Sequence, residues 1–123
     1  MLDAGALIAL ERGSMTVRGY VLLADRGHAA LATSSAVVAQ IWRGGNRQAR
    51  LARLLASDLV TELALDPEAS RRIGVLAAAA PGARDVVDGH VAIMALDRDA
   101  VVLTSDPQDI ARWGVPPRNI VPC

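Results

Sequence analysis

The chain has 123 residues, the length of one domain with room for a real core, and its 13 basic and 13 acidic side chains cancel, which excludes the overall basicity of a dedicated nucleic-acid coat. Every basic residue is Arg, so no catalytic lysine is available. Hydrophobic residues make up 52% without a single Phe, so the core must be Leu, Val, Ile and Ala, as in helices packed closely on a sheet. In chain order, "AGALIALERG" after Asp3 has apolar residues at helical spacing and stops at Gly13. "MTVRGYVLLADRG" reads as a second helix. "HAALATS" reads as a strand, with Ser34 and Ser35 placed to cap the helix "AVVAQIWR". Gly44 and Gly45 break that helix, and "NRQARLARLLAS" starts another with Asn46 as its cap. "DLVTELAL" follows as a strand, and Asp66 with Pro67 opens the helix "EASRRIGVLAAAA". The next helix runs from Asp85 to about Arg98, with Val87, Val91, Met94 and Ala95 on one inward stripe. "AVVLTS" is a buried strand by its β-branched run, "DPQDIARW" a short helix, and "RNIVPC" an edge strand.

Strands alternating with helices predict an α/β fold with a mostly parallel sheet, in one domain over residues 1–123. Cys123, the only cysteine, offers no disulfide framework and no cysteine metal cluster. Asp3 stands where a secretory leader would be positive, and no apolar run approaches the ~20 residues that span a bilayer. The expectation is a soluble, cytoplasmic protein with no membrane partner.

In such sheets ligands gather beyond the carboxyl ends of the strands. Asp3 and Asp106 each follow an apolar stretch there, and Asp85 and Asp88 open a helix at the same rim. Singly, Asp3, Asp85 and Asp106 read equally well as helix caps. Together they need a counterion, because converging carboxylates suppress one another's ionisation. Oxygen ligands without thiolates or a histidine cluster favour Mg²⁺ or Mn²⁺ over Zn²⁺. Such ions serve phosphodiester hydrolysis by activating water and stabilising the leaving oxygen.

"LDAGALIAL", "AVVAQIWRGG", "DVVDGHVAIMA" and "VVLTSDPQDI", in that order, resemble the PIN-domain ribonucleases, in particular VapC-type toxins of toxin-antitoxin pairs. The resemblance implies a three-layer α/β/α sandwich around a parallel sheet of about five strands. It also implies Mg²⁺- or Mn²⁺-dependent endoribonuclease activity, an RNA substrate, a homodimer and a small antitoxin that occludes the site. By this resemblance Asp3, Asp88 and Asp106 correspond to family acids that act catalytically and hold metal, and Gln40 stands where the family has a Glu. An amide can touch a metal or accept a hydrogen bond, but it carries no charge and is no base. Asp85, three positions before Asp88, is the candidate that keeps the acid count at four, with Asp109 in reserve. Two further departures are the short run before Asp3, only Met1 and Leu2, which makes the central strand very short or places the true start upstream, and Ala4 and Gly5, where the family often has a hydroxyl.

Arg43, Arg47 and Arg50 lie with Arg53 in a stretch free of acids, and Arg47 and Arg50 should share a helical face that holds RNA phosphates. Trp42 and Trp113 read as packing residues. His90, two residues past Asp88, points away from it and reads as structural. A phosphorylated receiver or a haloacid-dehalogenase-like phosphatase is disfavoured by the missing lysine, and the latter also by Gly5 two residues after Asp3. The remaining alternative is a catalytically silent domain of the same fold that binds RNA or an antitoxin, with Gln40 as the dividing residue.

Overall fold

A computed structural model describes all residues, 1–123. The elements run α1 (Ala4–Glu11), α2 (Met15–Asp25), β1 (Leu31–Ser34), α3 (Ser35–Ile41), α4 (Ala49–Leu55), β2 (Val60–Leu63), α5 (Pro67–Ala79), α6 (Val86–Arg98), β3 (Val102–Thr104), α7 (Pro107–Arg112) and β4 (Ile120–Pro122), with 3₁₀ turns at Asn46–Gln48 and Pro117–Asn119. Six of the seven helices begin as their sequences dictate. The side chains of Asp3, Ser14, Ser34, Asp66, Asp85 and Asp106 each accept a backbone N–H of the first turn, which satisfies donors that a helix start leaves open.

The exception is α4. Asn46 does not cap it; the residue opens the 3₁₀ turn and its side chain makes no capping bond. Gln48 does the work at this junction instead. Its Oε1 accepts the N–H groups of Arg43 and Gly44, and its Nε2 donates to the carbonyl of Ile41. The chain thus turns through Gly44 and Gly45, both at positive φ, with its polar groups satisfied by one amide.

β1 pairs in parallel with β2, and β3 with β4. The expected five strands are four, in two pairs, because Met1 and Leu2 are too short to make a strand. Leu2 alone forms parallel bridges to Thr33 and Leu103. Its N–H donates to Ala32 O at 2.8 Å, Asp3 N–H donates to Leu103 O at 3.2 Å, and Leu103 N–H donates to Met1 O at 2.9 Å. One fully buried residue therefore joins the two pairs.

The helices gather in two groups. α1 packs on α2, α3, α4 and β3, while α6 packs on α3, α5, α7, β1 and β3. Twenty-two buried residues form one connected core of Leu, Val, Ile and Ala with Met1 and Trp113. α6 was expected to bury one stripe. Val91 and Ala95 are buried as foreseen, but Gly89, His90, Ala92 and Ile93 are buried too, since neighbours lie on almost every side. Gly89 has to be small: a Cβ there would stand 2.8 Å from the Trp113 ring and 2.9 Å from Ile73 Cγ2. Trp113, 2% exposed, is the packing residue foreseen, whereas Trp42 at the end of α3 is 42% exposed.

Candidate active site

The parallel strands run into helix starts at one rim, and the acids stand on those starts. Leu2 leads into Asp3, which caps α1 through Oδ1, 2.7 Å from Ala6 N. β3 leads through Thr104 and Ser105 into Asp106, which caps α7, and Thr104 Oγ1 accepts the Asp106 N–H at 2.9 Å. Asp85 caps α6 through Val87 N at 2.8 Å, and Asp88 sits in the first turn of the same helix. For Asp3, Asp85 and Asp106 the capping role is therefore real.

Asp88 caps nothing and accepts no hydrogen bond. Burial, then the charges of Asp85, Asp3, Asp109 and Asp106, push its carboxyl from 3.8 up to about 6. Burial likewise raises Asp3, with Asp106 adding to the effect, while bonds from Thr104, Ala6 and Gly5 partly offset it. Five aspartates thus share one field, and both raised groups resist ionisation because they are buried and, secondarily, because their neighbours are negative. Helix N-termini supply some positive charge, since α1, α6 and α7 present their N–H ends here.

The strand end is held close by glycine. A Cβ on Gly5 would lie 2.7 Å from Ser105 Cβ and from Ser105 N, and closer still to Ser105 Oγ. Gly5 therefore lets the segment that carries Asp106 settle against the start of α1. Nothing local in the sequence announces this approach, although Thr104 and Ser105 stand beside Asp106 in the chain as hydroxyls placed to orient it or a bound water.

His90 is on the other side of α6 from this rim chemistry. It is fully buried, its Nδ1 lies 2.6 Å from Ser34 Oγ, and burial lowers its pKa, so the ring is neutral and structural as expected. Gln40 is exposed on α3; its main-chain carbonyl accepts from Arg43 Nη2 at 3.0 Å, and its side-chain amide makes no hydrogen bond. Arg43 donates also to Trp42 O, so its guanidinium is folded over the end of α3. Arg47 and Arg50 do not share a helical face, because Arg47 belongs to the 3₁₀ turn and Arg50 to α4. Arg50 donates to Glu11 O, at the end of α1 remote from Asp3, about 12 Å along eight helical residues. The predicted acids thus lie within electrostatic range of Asp88, while Arg43 and Arg50 are tied to carbonyls elsewhere.

The chain matches the PIN domain family over residues 1–114. It belongs to that family. PIN domains are in general metal-dependent nucleases. No curated protein matches it.

Its acids fit a hard divalent cation in kind and charge: all-oxygen donors, no thiolate, and a carboxylate raised to about 6 by burial first and by its anionic neighbours second. They are not gathered into a ready cage, for no three His, Cys, Asp or Glu side chains stand together as a ligand set. Asp3, Asp85 and Asp106 each engage a backbone N–H through one oxygen, and Asp88 is the acid with both free. No helix of the PIN domain is long and apolar enough to cross a membrane.

Proposed function

We propose that this PIN domain is a Mg²⁺- or Mn²⁺-dependent endoribonuclease, the VapC-type toxin of a toxin-antitoxin pair, acting on RNA in the cytoplasm as a homodimer restrained by a small antitoxin. The observation that carries the reading is Asp88. A partly buried carboxylate with no hydrogen bond, facing four other aspartates, is a poor structural element and a good half of a cation site. Asp3, Asp85, Asp88 and Asp106 would hold the ion, with Asp109 beside them. When bound, it supplies an activated water and charge neutralisation at the departing oxygen. The protein orients: Thr104 fixes Asp106 through its backbone N–H, and Gly5 keeps Ser105 and Asp106 against Asp3.

A second reading is a silent domain that binds RNA or an antitoxin. It is favoured by Gln40, which brings no charge and has no tie to the acids. Purified protein incubated with structured RNA and Mn²⁺ decides between them. Cleavage that Asp88→Asn abolishes and Gln40→Glu enhances supports the nuclease; an inert parent that Gln40→Glu awakens supports the silent domain. Growth arrest on expression of the chain alone, relieved by Asp88→Asn, tests the toxin role.

A further inference from the structure

Five carboxylates at one rim repel the polyanion that a nuclease must bind. One dication offsets two of those charges, so a phosphate approaching Asp88 needs cationic side chains close by. Arg43 and Arg50 are engaged with carbonyls elsewhere.

A cavity of about 240 Å³ opens beside Asp88, lined by Asp85 and Asp109, by Gly82 and Trp113, and by Arg84 and Arg112. Arg84 directly precedes the cap of α6, is exposed, and has no hydrogen-bond or ion-pair partner. Arg112 ends α7 and pairs with Asp109. Its stem lies along the loop before α6, where a Cβ on Gly82 would be 3.8 Å from Arg112 Cδ. Gly82, at φ +83, lets that loop turn tightly enough to bring both guanidinium groups to one opening. The floor is firm, because Ala83 and Trp113 are buried in the core.

We infer that Arg84 and Arg112 form a phosphate subsite that holds the RNA backbone next to the phosphodiester being cut. The inference rests on the nuclease reading for the identity of its ligand. Guanidinium groups suit the task, since their planar forks match phosphate oxygens in pairs. Arg112 is held in position by Asp109, whereas Arg84 is free to close on the strand. The loop before α6 and the end of α7 thereby become part of the RNA track, and Arg84 and Arg112 act as positioning residues.

The test uses the full chain and a labelled pool of structured RNA. Binding is followed by anisotropy in Ca²⁺ across a salt series, and cleavage in Mn²⁺. Arg84→Ala and Arg112→Ala should each weaken Kd about five- to tenfold and flatten the log Kd against log salt slope by about 0.7–0.9, the loss of one phosphate contact. KM should rise with kcat within about twofold, and Arg84→Lys should restore most of the binding. Arg118→Ala is the control, for Arg118 pairs with Asp99 at the far end of α6 and should leave both constants unchanged. Cleavage with Kd and slope untouched in both Ala variants overturns the subsite and leaves the nuclease reading standing. Arginine-dependent binding without cleavage in Mg²⁺ or Mn²⁺ does the reverse. A wild-type chain that neither binds nor cleaves overturns both.

Discussion

Replacing Asp88 by Asn should make the metal-free protein more stable at neutral pH. In the folded chain this carboxyl titrates at about 6 instead of 3.8, so above pH 6 it is ionised against the wishes of its surroundings. The gap of 2.2 pH units corresponds to about 3 kcal/mol at full strength. Asp88 is only partly buried, and water screens some of that, which leaves about 1–2 kcal/mol. For 123 residues, about 1 kcal/mol moves Tm by about 4 °C, so Asp88→Asn should melt about 4–8 °C above wild type at pH 7.5 in EDTA. The pH course is as informative as the size. Between pH 4 and 6 the folded state binds more protons at Asp88 than the unfolded chain, so wild-type stability attributable to this group falls as pH rises. Below pH 4 both proteins carry a neutral group there and the difference vanishes. His90 slopes the other way, since its lowered pKa makes the folded state lose stability on acidification, but it is common to both proteins and cancels in the comparison. Melting followed by circular dichroism at pH 4, 5, 6 and 7.5 measures the gap. An Asn variant that melts at or below wild type at pH 7.5 would falsify the argument that burial and the neighbouring acids disfavour an ionised Asp88.

Adding Mg²⁺ or Mn²⁺ should raise the Tm of wild type more than that of Asp88→Asn, because a cation that binds only the folded site stabilises by mass action; equal shifts in a differential scanning experiment would separate the ion from this acid. Gly89→Ala should destabilise by about 1–3 kcal/mol through the clash with Trp113 and Ile73, while Gly74→Ala, with open space around it on α5, should stabilise by about 0.5–1 kcal/mol, and urea denaturation of the pair checks both signs. Gly5→Ala should displace Ser105 and Asp106 from Asp3 and lower RNA cleavage at least tenfold, read in the same Mn²⁺ assay. His90→Ala should cost about 2–4 kcal/mol, as a buried ring is lost and Ser34 Oγ loses its partner, and a Tm within 2 °C of wild type would count against a structural role.

Much of the fold is written in short-range signals. Asp3, Asp66, Asp85 and Asp106 each precede a helical run, and each is a cap. "AVVLTS" announces its burial by composition, and Val102–Thr104 is buried throughout. Asn46 misled because a good capping residue was read without its competitor, the Gln48 amide that closes the Gly44–Gly45 turn. The strand number was missed for a different reason: a single residue can bridge two partners without making a strand, and only tertiary pairing shows it. At the candidate site the acids were legible because caps at helix starts coincide with the rim of a parallel sheet. The arginines were not, since spacing within a helix says nothing of the carbonyls that Arg43 and Arg50 reach in other turns. Arg112 could have been noticed three positions after Asp109, the spacing of a helical ion pair. The closeness of Gly5 to Ser105 spans a hundred residues and leaves no local trace.

The bridge at Leu2 also governs the order of assembly during synthesis. Its two partners, Thr33 and Leu103, lie further along the chain, so Leu2 is made well before it can find its full place. At about 5–20 residues per second, several seconds pass before Leu103 emerges. Until then Asp3 has no opposing wall, and a nascent chain carries its acids on unconnected pieces. The shared field of acids around Asp88 therefore forms only once the segment from Leu103 to Asp106 has been made and has closed on Leu2.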